Sequence, residues 1–419
     1  MKTSLDFLVA FLRPGLGIKR WLIVFALGVC IVGVCVVDAV FVYFNFELDL
    51  FSTAELDIPV WIRVFVGLVI GMVFVVFAAI QISQEFVYTI SPSGKSVISL
   101  VAGRRRKSKG PKVVVIGGGT GMFSLLRGLK DHTSNVSAIV TVADDGGSSG
   151  RLRRDLGVLP PGDLRNCLVA LADDEALLTQ LFKYRFGITG GVDGHSFGNL
   201  FITAMTEITG SFERALAVSG QVLAITGQVL PSTLENVTLM ADIREYHGAS
   251  PHRVSGESAI PAETGIIDRV YLDPSDVPAN PEAVKAILGA DVIVLGPGSL
   301  FTSVLPNLLV SDISSAIRNS RGVTICVTNV ATQSGETDGF SVEMHADTII
   351  DHVGNLFSVV LANDKYVGNL MANMEWVKDC RGVSHIYEIK SCDLLDLDYP
   401  WRHDANKLAG AILKIVNNN

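Results

Sequence analysis

The sequence predicts an α/β protein: a Rossmann-like parallel sheet with helices on both faces, preceded by a two-helix transmembrane hairpin. Three observations predict it. Two runs near the N-terminus stay apolar for the thickness of a bilayer. Beyond residue 110, short β-branched runs alternate with helical stretches. Several of those runs end in glycine-rich or polar clusters, where ligands bind in an open parallel sheet.

The hairpin comes first. From Trp21 to Phe44 the only charged residue is Asp38, and from Val64 to Ile82 there is none. Each run matches the roughly 20 apolar residues that cross a bilayer as helix. A signal peptide has a shorter apolar core, about 7–15 residues, and here a second run follows the first. An anchor over 1–82 is therefore expected, with spans at about 21–44 and 64–82. The chain is 49% hydrophobic over 419 residues, with mean hydropathy +0.41, and the apolar excess lies in this anchor. A formal charge of −8 gives no overall basic surface for nucleic acid.

Flanking charge sets the expected orientation. Lys2, Arg13, Lys19 and Arg20 precede the first span; Lys95, Arg104, Arg105, Arg106, Lys107 and Lys109 follow the second. The link between the spans carries Glu47, Asp49, Glu55 and Asp57 against Arg63. Both termini and the main domain are expected on the cytoplasmic side of the cell membrane, as a multi-pass protein. Trp21, Tyr43 and Trp61 stand where interfacial aromatics belong. Asp38 lies about 9 Å from the outer end of its helix, near the headgroups. Gly67 and Gly71 form a GxxxG pair, a weak pattern that by default is chance. Cys30 and Cys35 lie in the first span; Cys167, Cys326, Cys380 and Cys392 are scattered. No CxxC pair points to zinc or redox work.

Residues 83–110 read as a polar, then basic, cytoplasmic linker, and the body runs from 111 to 419. Lys112–Ile116 is a β-branched strand broken by Gly117–Gly121; Met122–Leu129 reads as a helix and Val136–Ala143 as a second strand. Helices are expected at about 163–183, 196–208 and 211–224, with Asp163 as an N-cap after Pro160-Pro161-Gly162. Asp291–Leu295, Val323–Asn329 and Phe357–Leu361 read as further strands, and Ala405–Val416 as the last helix. Four clusters should then share one sheet edge: 117–121, 144–151, 296–299 and 329–338.

Gly117, Gly118, Gly119, Thr120 and Gly121 join a strand to a helix, a turn that lets backbone N–H groups approach a phosphate. The run lacks the last glycine of GxGxxG, because Met122 stands there, and no Gly-Lys-Ser/Thr makes it a P-loop. Asp144 follows Gly121 by 23 residues, the place of a ribose-binding acid in an NAD site. An NAD site has no need of the residues that come next, Asp145, Gly146, Gly147, Ser148, Ser149, Gly150 and Arg151. That loop offers amides, hydroxyls and a guanidinium to phosphate. The two acids, Asp144 and Asp145, can hold sugar hydroxyls or a divalent ion. His195, Gly198 and Asn199 open a later helix, where a lone His is by default structural. Gly298 and Ser299 repeat the anion-site pattern, and Asn329 opens a polar strand-end loop. Arg402-His403-Asp404 precedes the last helix, with Asp404 as its cap.

IGGGTG at 116–121, VADDGGSSGRLR at 142–153, PPGDLRN at 160–166 and GHSFGNL at 194–200 occur in order. LGPGSLFTSVLPNLLV at 295–310 and TQSGETDG at 332–339 complete the set. Over 111–419 the chain closely resembles the YvcK-like gluconeogenesis factors of bacteria, whose superfamily includes 2-phospho-L-lactate transferase. The resemblance implies binding of UDP-N-acetylglucosamine or UDP-glucose, and a role linking carbon supply to cell-wall synthesis and cell shape, with no established reaction. It places the clusters above, with Arg402, on a nucleotide-sugar cleft. The soluble members lack the two spans, and 366–384 matches poorly, so Tyr366 and Trp376 are only candidates for a stacking aromatic. The alternative is a transferase acting on a nucleotide-activated phosphorylated substrate, with Mg²⁺ held by Asp144 and Asp145. An NAD oxidoreductase and a tubulin-like GTPase fit the motifs less well. Expected partners are the UDP-sugar, the lipid bilayer, cell-wall synthesis proteins and further copies of the chain as a homo-oligomer.

Overall fold

The computed structural model describes residues 19–44, 59–90, 105–173, 175–187, 192–246, 248–380 and 386–417. The acidic link between the two apolar runs, the N-terminal basic residues through Arg13 and residues 91–104 of the linker lie outside them. The chain forms two compact units, 1–103 and 104–419.

In the first unit both apolar runs are helices, α1 (Lys19–Tyr43) and α2 (Val60–Ile90). Stretches of 22 and 25 residues within them, Arg20–Phe41 and Trp61–Glu85, are long and apolar enough to cross a membrane. The glycines at 67 and 71 have a use that the bare pattern does not reveal. A Cβ on Gly71 would stand 3.0 Å from the Gly28 carbonyl, and one on Gly28 would stand 3.0 Å from the Gly71 carbonyl. A Cβ on Gly67 would collide with the Cys35 sulfur. Small residues thus let the two backbones of one hairpin touch, the packing rule of membrane helices. Asp38 is buried within this unit. Arg20 and Glu85 pair at 3.0 Å, an exposed contact of small energetic weight.

The second unit is built on a seven-stranded sheet. Its strands are β1 (Val113–Gly117), β2 (Val136–Val140), β3 (Gln228–Pro231), β7 (Val292–Leu295), β8 (Val323–Val327), β9 (Val359–Asn363) and β10 (Glu388–Cys392). Their order is β10-β9-β8-β7-β1-β2-β3, and every pairing is parallel. All residues of β1, β7 and β9 are buried. Because alternate residues face opposite sides of a sheet, full burial means that both faces are covered. That explains why these strands read as unbroken apolar runs. The chain builds outward from β1 through β2 to β3, then restarts beside β1 at β7. The strand order therefore reverses between β1 and β7, the position where open α/β sheets bind ligands.

Helix α3 (Gly119–Leu129) follows β1, and the expected 163–183 helix is two, α5 (Gly162–Leu171) and α6 (Glu175–Lys183). Helices α7 (Phe197–Thr209) and α8 (Phe212–Val222) stand as expected, capped by Ser196 and Ser211. Two expectations change. The hydroxyl-rich "loop" is helix α4 (Gly147–Leu156), whose Ser148, Ser149, Gly150 and Leu152 are buried. Its glycines and serines hid a helix because they score poorly as helix formers, yet burial of one face decides. Gly150 is required there, since a Cβ would strike the Asp145 carbonyl. Asp163 does not cap its own helix: Pro161 holds that position without a side-chain bond.

A three-stranded antiparallel sheet, β5-β4-β6, is inserted between β3 and β7, with β4 (Thr238–Arg244), β5 (His252–Ser255) and β6 (Ile266–Asp273). Helices α9 (Pro281–Leu288), α10 (Leu305–Leu308), α11 (Ser311–Asn319) and α12 (Val342–Val353) complete the body with the last helix, α13 (Ala405–Asn417). The last helix packs on α3 at Gly128, where a Cβ would stand 2.9 Å from the Ala409 Cβ and strike the Ala405 carbonyl. Gly128→Ala should therefore destabilise the body by about 1–3 kcal/mol through overpacking. A thermal unfolding midpoint unchanged from the wild type would show that this close approach is not required.

Candidate functional site

The reversal point of the sheet carries two glycine turns that all but touch. A Cβ on Gly121 would stand 2.8 Å from the Pro297 carbonyl oxygen, and one on Gly298 would stand 3.1 Å from that of Gly118. No side chain fits between β1's turn and β7's turn, which leaves backbone exposed on both. Gly119 also needs its φ of +66, in the left-handed region that glycine enters without strain. Beside this junction lies a cavity of about 210 Å³. Gly119, Thr120, Gly121, Gly298, Ser299, Asn329 and Arg402 all line it.

One glutamine organises the polar side of this cavity. Gln333 Nε2 donates to Ser299 Oγ at 2.7 Å, and its Oε1 accepts from Asn329 Nδ2 at 3.1 Å. The Gln333 amide donates to Thr337 Oγ1 at 2.9 Å, so the TQSGETD loop holds its own relay. Deeper in that loop Glu336 accepts from Thr302 Oγ1 at 3.2 Å; burial pushes its carboxyl up to about 7. Arg402 is set by a bond from its amide to the Tyr399 carbonyl, and its guanidinium lies 5.6 Å from the Tyr399 ring centroid. Asp404 caps α13 as expected, accepting from the amides of Asn406 and Lys407.

Next to the glycine turn the structure gathers acids. Asp163 Oδ2 accepts from the Gly119 amide at 2.8 Å, so α5 holds the start of α3, and one N–H at the head of that helix is already occupied. Burial, with the Asp144 charge beside it, pushes the Asp163 carboxyl up to about 6. Glu257, from the insertion that follows β5, donates to Asp144; burial and then the Asp144 and Asp163 charges push it up to about 9. Asp145 turns elsewhere and accepts from the Ser258 amide at 2.9 Å. The two neighbouring acids therefore do different work. Asp144 faces the other carboxyls, while Asp145 anchors the insertion. Among the described residues, no three His, Cys, Asp or Glu side chains converge as a cation site. Each of the two already accepts one backbone N–H, Asp145 from Ser258 and Asp144 Oδ1 from Gly146 at 2.9 Å, so the Mg²⁺ expected of this pair would rest on their remaining oxygens and on the ligand.

The remaining expected residues form a second group. Ser148 Oγ lies 3.0 Å from His195 Nδ1, and Asn199 Nδ2 donates to Ser148 Oγ at 3.1 Å. Arg165 holds Asn199 Oδ1 at 2.9 Å and Ser196 Oγ at 2.6 Å. Gly198 is glycine because a Cβ would stand 2.6 Å from the Arg165 side chain and 2.5 Å from Phe182. Arg151 donates to the Asp193 carbonyl at 2.8 Å. His195 is buried, and burial followed by the Arg151 charge lowers its pKa. Gly146, Gly147, Ser149 and Gly150 belong to this corner, at the start of α4. None of this group lines the cavity, and His195 has the packing and bonds of a structural histidine. Tyr366 and Trp376 meet edge to face at 5.8 Å and do not line it either; Met374 and Trp401 do.

Ser124, Gln333, Trp401, His403 and Glu257 were not singled out by sequence. Gln333 and His403 sit inside motifs that were, TQSGETDG and Arg-His-Asp. Glu257 carried no signal, since only the insertion's fold brings it to Asp144.

Folding holds on Glu257 a proton that the unfolded chain releases near its ordinary value, about 4.3. That contribution is complete below the unfolded value and is lost as pH rises toward 9. The thermal midpoint should fall between pH 6 and 9. Glu257→Gln, neutral throughout, should flatten that slope and raise the midpoint at pH 8.5 by at least about 2 °C. An unaltered slope in the variant would contradict the assignment.

The family model for 2-phospho-L-lactate transferase CofD matches residues 113–405. A Nostoc sp. protein is 48% identical over 363 residues, 85% of this chain and 78% of its own. The gluconeogenesis factor of Halalkalibacterium halodurans is 43% identical over 316 residues, 73% of this chain and 97% of its own. A crystal structure of a UPF0052-family protein from Bacillus halodurans superposes with a TM-score of 0.67 at 43% identity, covering 73% of this chain and 99% of that one. The family match spans the sheet, the insertion and the cavity's lining residues up to His403, and the chain therefore belongs to the CofD (UPF0052) family, together with the gluconeogenesis factors.

Proposed function

We propose that the cavity at the β1/β7 reversal binds a UDP-sugar, UDP-N-acetylglucosamine or UDP-glucose, and that the protein is a membrane-anchored regulator linking carbon supply to cell-wall growth and cell shape. One observation carries the reading: two glycine turns, a helix start and Arg402 converge on one cavity. Backbone amides and a guanidinium suit a diphosphate, while Asn329, Gln333 and Ser299 offer hydrogen bonds to a sugar or base. The family resemblance supports the UDP class. The two apolar helices and the flanking charges support a body on the cytoplasmic face.

A second reading is favoured by the transferase for which the matching family model is named: transfer of a phosphorylated group from a nucleotide-activated donor. Asp144, Asp163 and Glu257 supply the acidic corner such a reaction would use for positioning and proton handling. Turnover of nucleotide-activated phospholactate with a deazaflavin acceptor would put this reading first.

Calorimetry of the full chain in detergent should detect UDP-N-acetylglucosamine; absence of heat with every UDP-sugar at millimolar concentration would sink the first reading. Arg402→Ala should cost about 1.5–3 kcal/mol of binding, and more than Arg151→Ala, whose guanidinium is committed to Asp193. The reverse order would move the site to the α4 corner.

A further inference from the structure

We propose that His403 is a specificity residue of the cavity, accepting at Nε2 a hydrogen bond from an N–H or O–H on the non-phosphate part of the ligand. The inference rests on the nucleotide-sugar reading of the site and adds to it a group that distinguishes donor-bearing ligands from bare phosphates.

The imidazole lines the same cavity as Arg402, yet it is only 6% exposed. One side of the ring is satisfied by a hydrogen bond to the backbone of Thr328, just past β8. The Thr328 amide already donates to the Leu361 carbonyl, so the group that meets the ring is the Thr328 carbonyl. A carbonyl only accepts, which puts the ring proton on Nδ1. The other nitrogen, Nε2, is itself buried and has no partner among the described residues. In a neutral imidazole whose first nitrogen donates, the second can only accept. Burial holds the ring neutral, lowering its pKa to about 4.

The backbone leaves the ring little freedom. His403 bridges Leu395, the Arg402 carbonyl accepts from the Asp396 amide, and Asp404 is fixed as the cap of α13. A buried polar atom without a partner is uncommon and calls for a reason. Around it the cavity presents mostly donors and mixed groups: glycine amides, Ser124, Ser299, Asn329, Gln333 and Arg402. No carboxylate among the described residues lines it. A phosphate oxygen facing Nε2 would set lone pair against lone pair. The matching ligand group is therefore a donor, and in a UDP-sugar that is the uracil imide N–H, a ribose hydroxyl or a hydroxyl or amide of the sugar.

The test is calorimetry on the full chain in detergent, comparing wild type, His403→Leu and His403→Gln. The probes are UDP-N-acetylglucosamine, UDP, N3-methyl-UDP, 2′-deoxy-UDP and inorganic pyrophosphate. His403→Leu should weaken UDP-N-acetylglucosamine at least tenfold and leave pyrophosphate unchanged, and His403→Gln, which keeps an acceptor, should recover part of the loss. The probe that lacks the recognised donor should bind wild type and His403→Leu alike. N3-methyl-UDP behaving so names the base, and 2′-deoxy-UDP names the ribose; a loss confined to UDP-N-acetylglucosamine names the sugar. An equal loss for pyrophosphate would overturn the proposal in favour of a packing role exerted through Arg402. Unchanged affinity for every probe in a variant that folds would also overturn it. A wild type that binds pyrophosphate and no UDP ligand would instead defeat the underlying reading. If His403→Leu does not fold, His403→Phe, which fills the ring's volume without the acceptor, carries the comparison.

Discussion

The approach of two backbones at the centre of the sheet governs this molecule. Gly121 lies against Pro297, and Gly298 lies against the Gly118 carbonyl. Neither contact admits a Cβ without displacing backbone. The constraint fixes glycine at those positions and exposes peptide groups where β1 and β7 part. It sets the place of the cavity, because the strand order reverses only there. Asp163 then ties the start of α3 from the side, and Gly128 seats α13 against the far end of the same helix. Arg402 and His403 reach the cavity because α13 is docked in this way.

Electrostatically the sheet edge divides into two neighbourhoods. Among the described residues that line the cavity around Arg402 there are amides, hydroxyls and that one cation, with no acid. Around Asp144 there are three carboxyls close enough that two hold their protons well above the ordinary range. An anion is favoured in the first and repelled by the second while the acids are charged. The protonated Glu257 relieves part of that repulsion, and the insertion that brings it also receives Asp145 through Ser258. The same insertion reaches the TQSGETD loop, where a Cβ on Gly335 would strike the Pro261 carbonyl. The two neighbourhoods thus share one strap.

Much of this could be read from residues. The apolar runs of β1, β7, β8 and β9 marked a buried parallel sheet, and the glycine clusters at their ends marked its working edge. Pattern failed where tertiary contact overrode local preference. Residues 146–151 look like a loop by composition and open a helix because Ser148, Ser149 and Leu152 are buried. Asp163 looks like a cap for its own helix and serves another. The antiparallel insertion has alternation in β4, but nothing in its sequence says that Glu257 will meet Asp144. His195 and Asn199 belong to motifs as long as those of the cavity, and only three dimensions separate the two groups. Likewise Gly67 and Gly71 mean little until Gly28 and Cys35 are seen opposite them.

The measurement that tests the central claim most directly is a crystal structure of the protein with UDP-N-acetylglucosamine. The diphosphate is expected between the turns at Gly119–Gly121 and Gly298–Ser299, within reach of Arg402, with Asn329 and Gln333 on the remainder of the ligand. A ligand seated among Ser148, His195 and Asn199, with the cavity at the β1/β7 reversal left open, would contradict it.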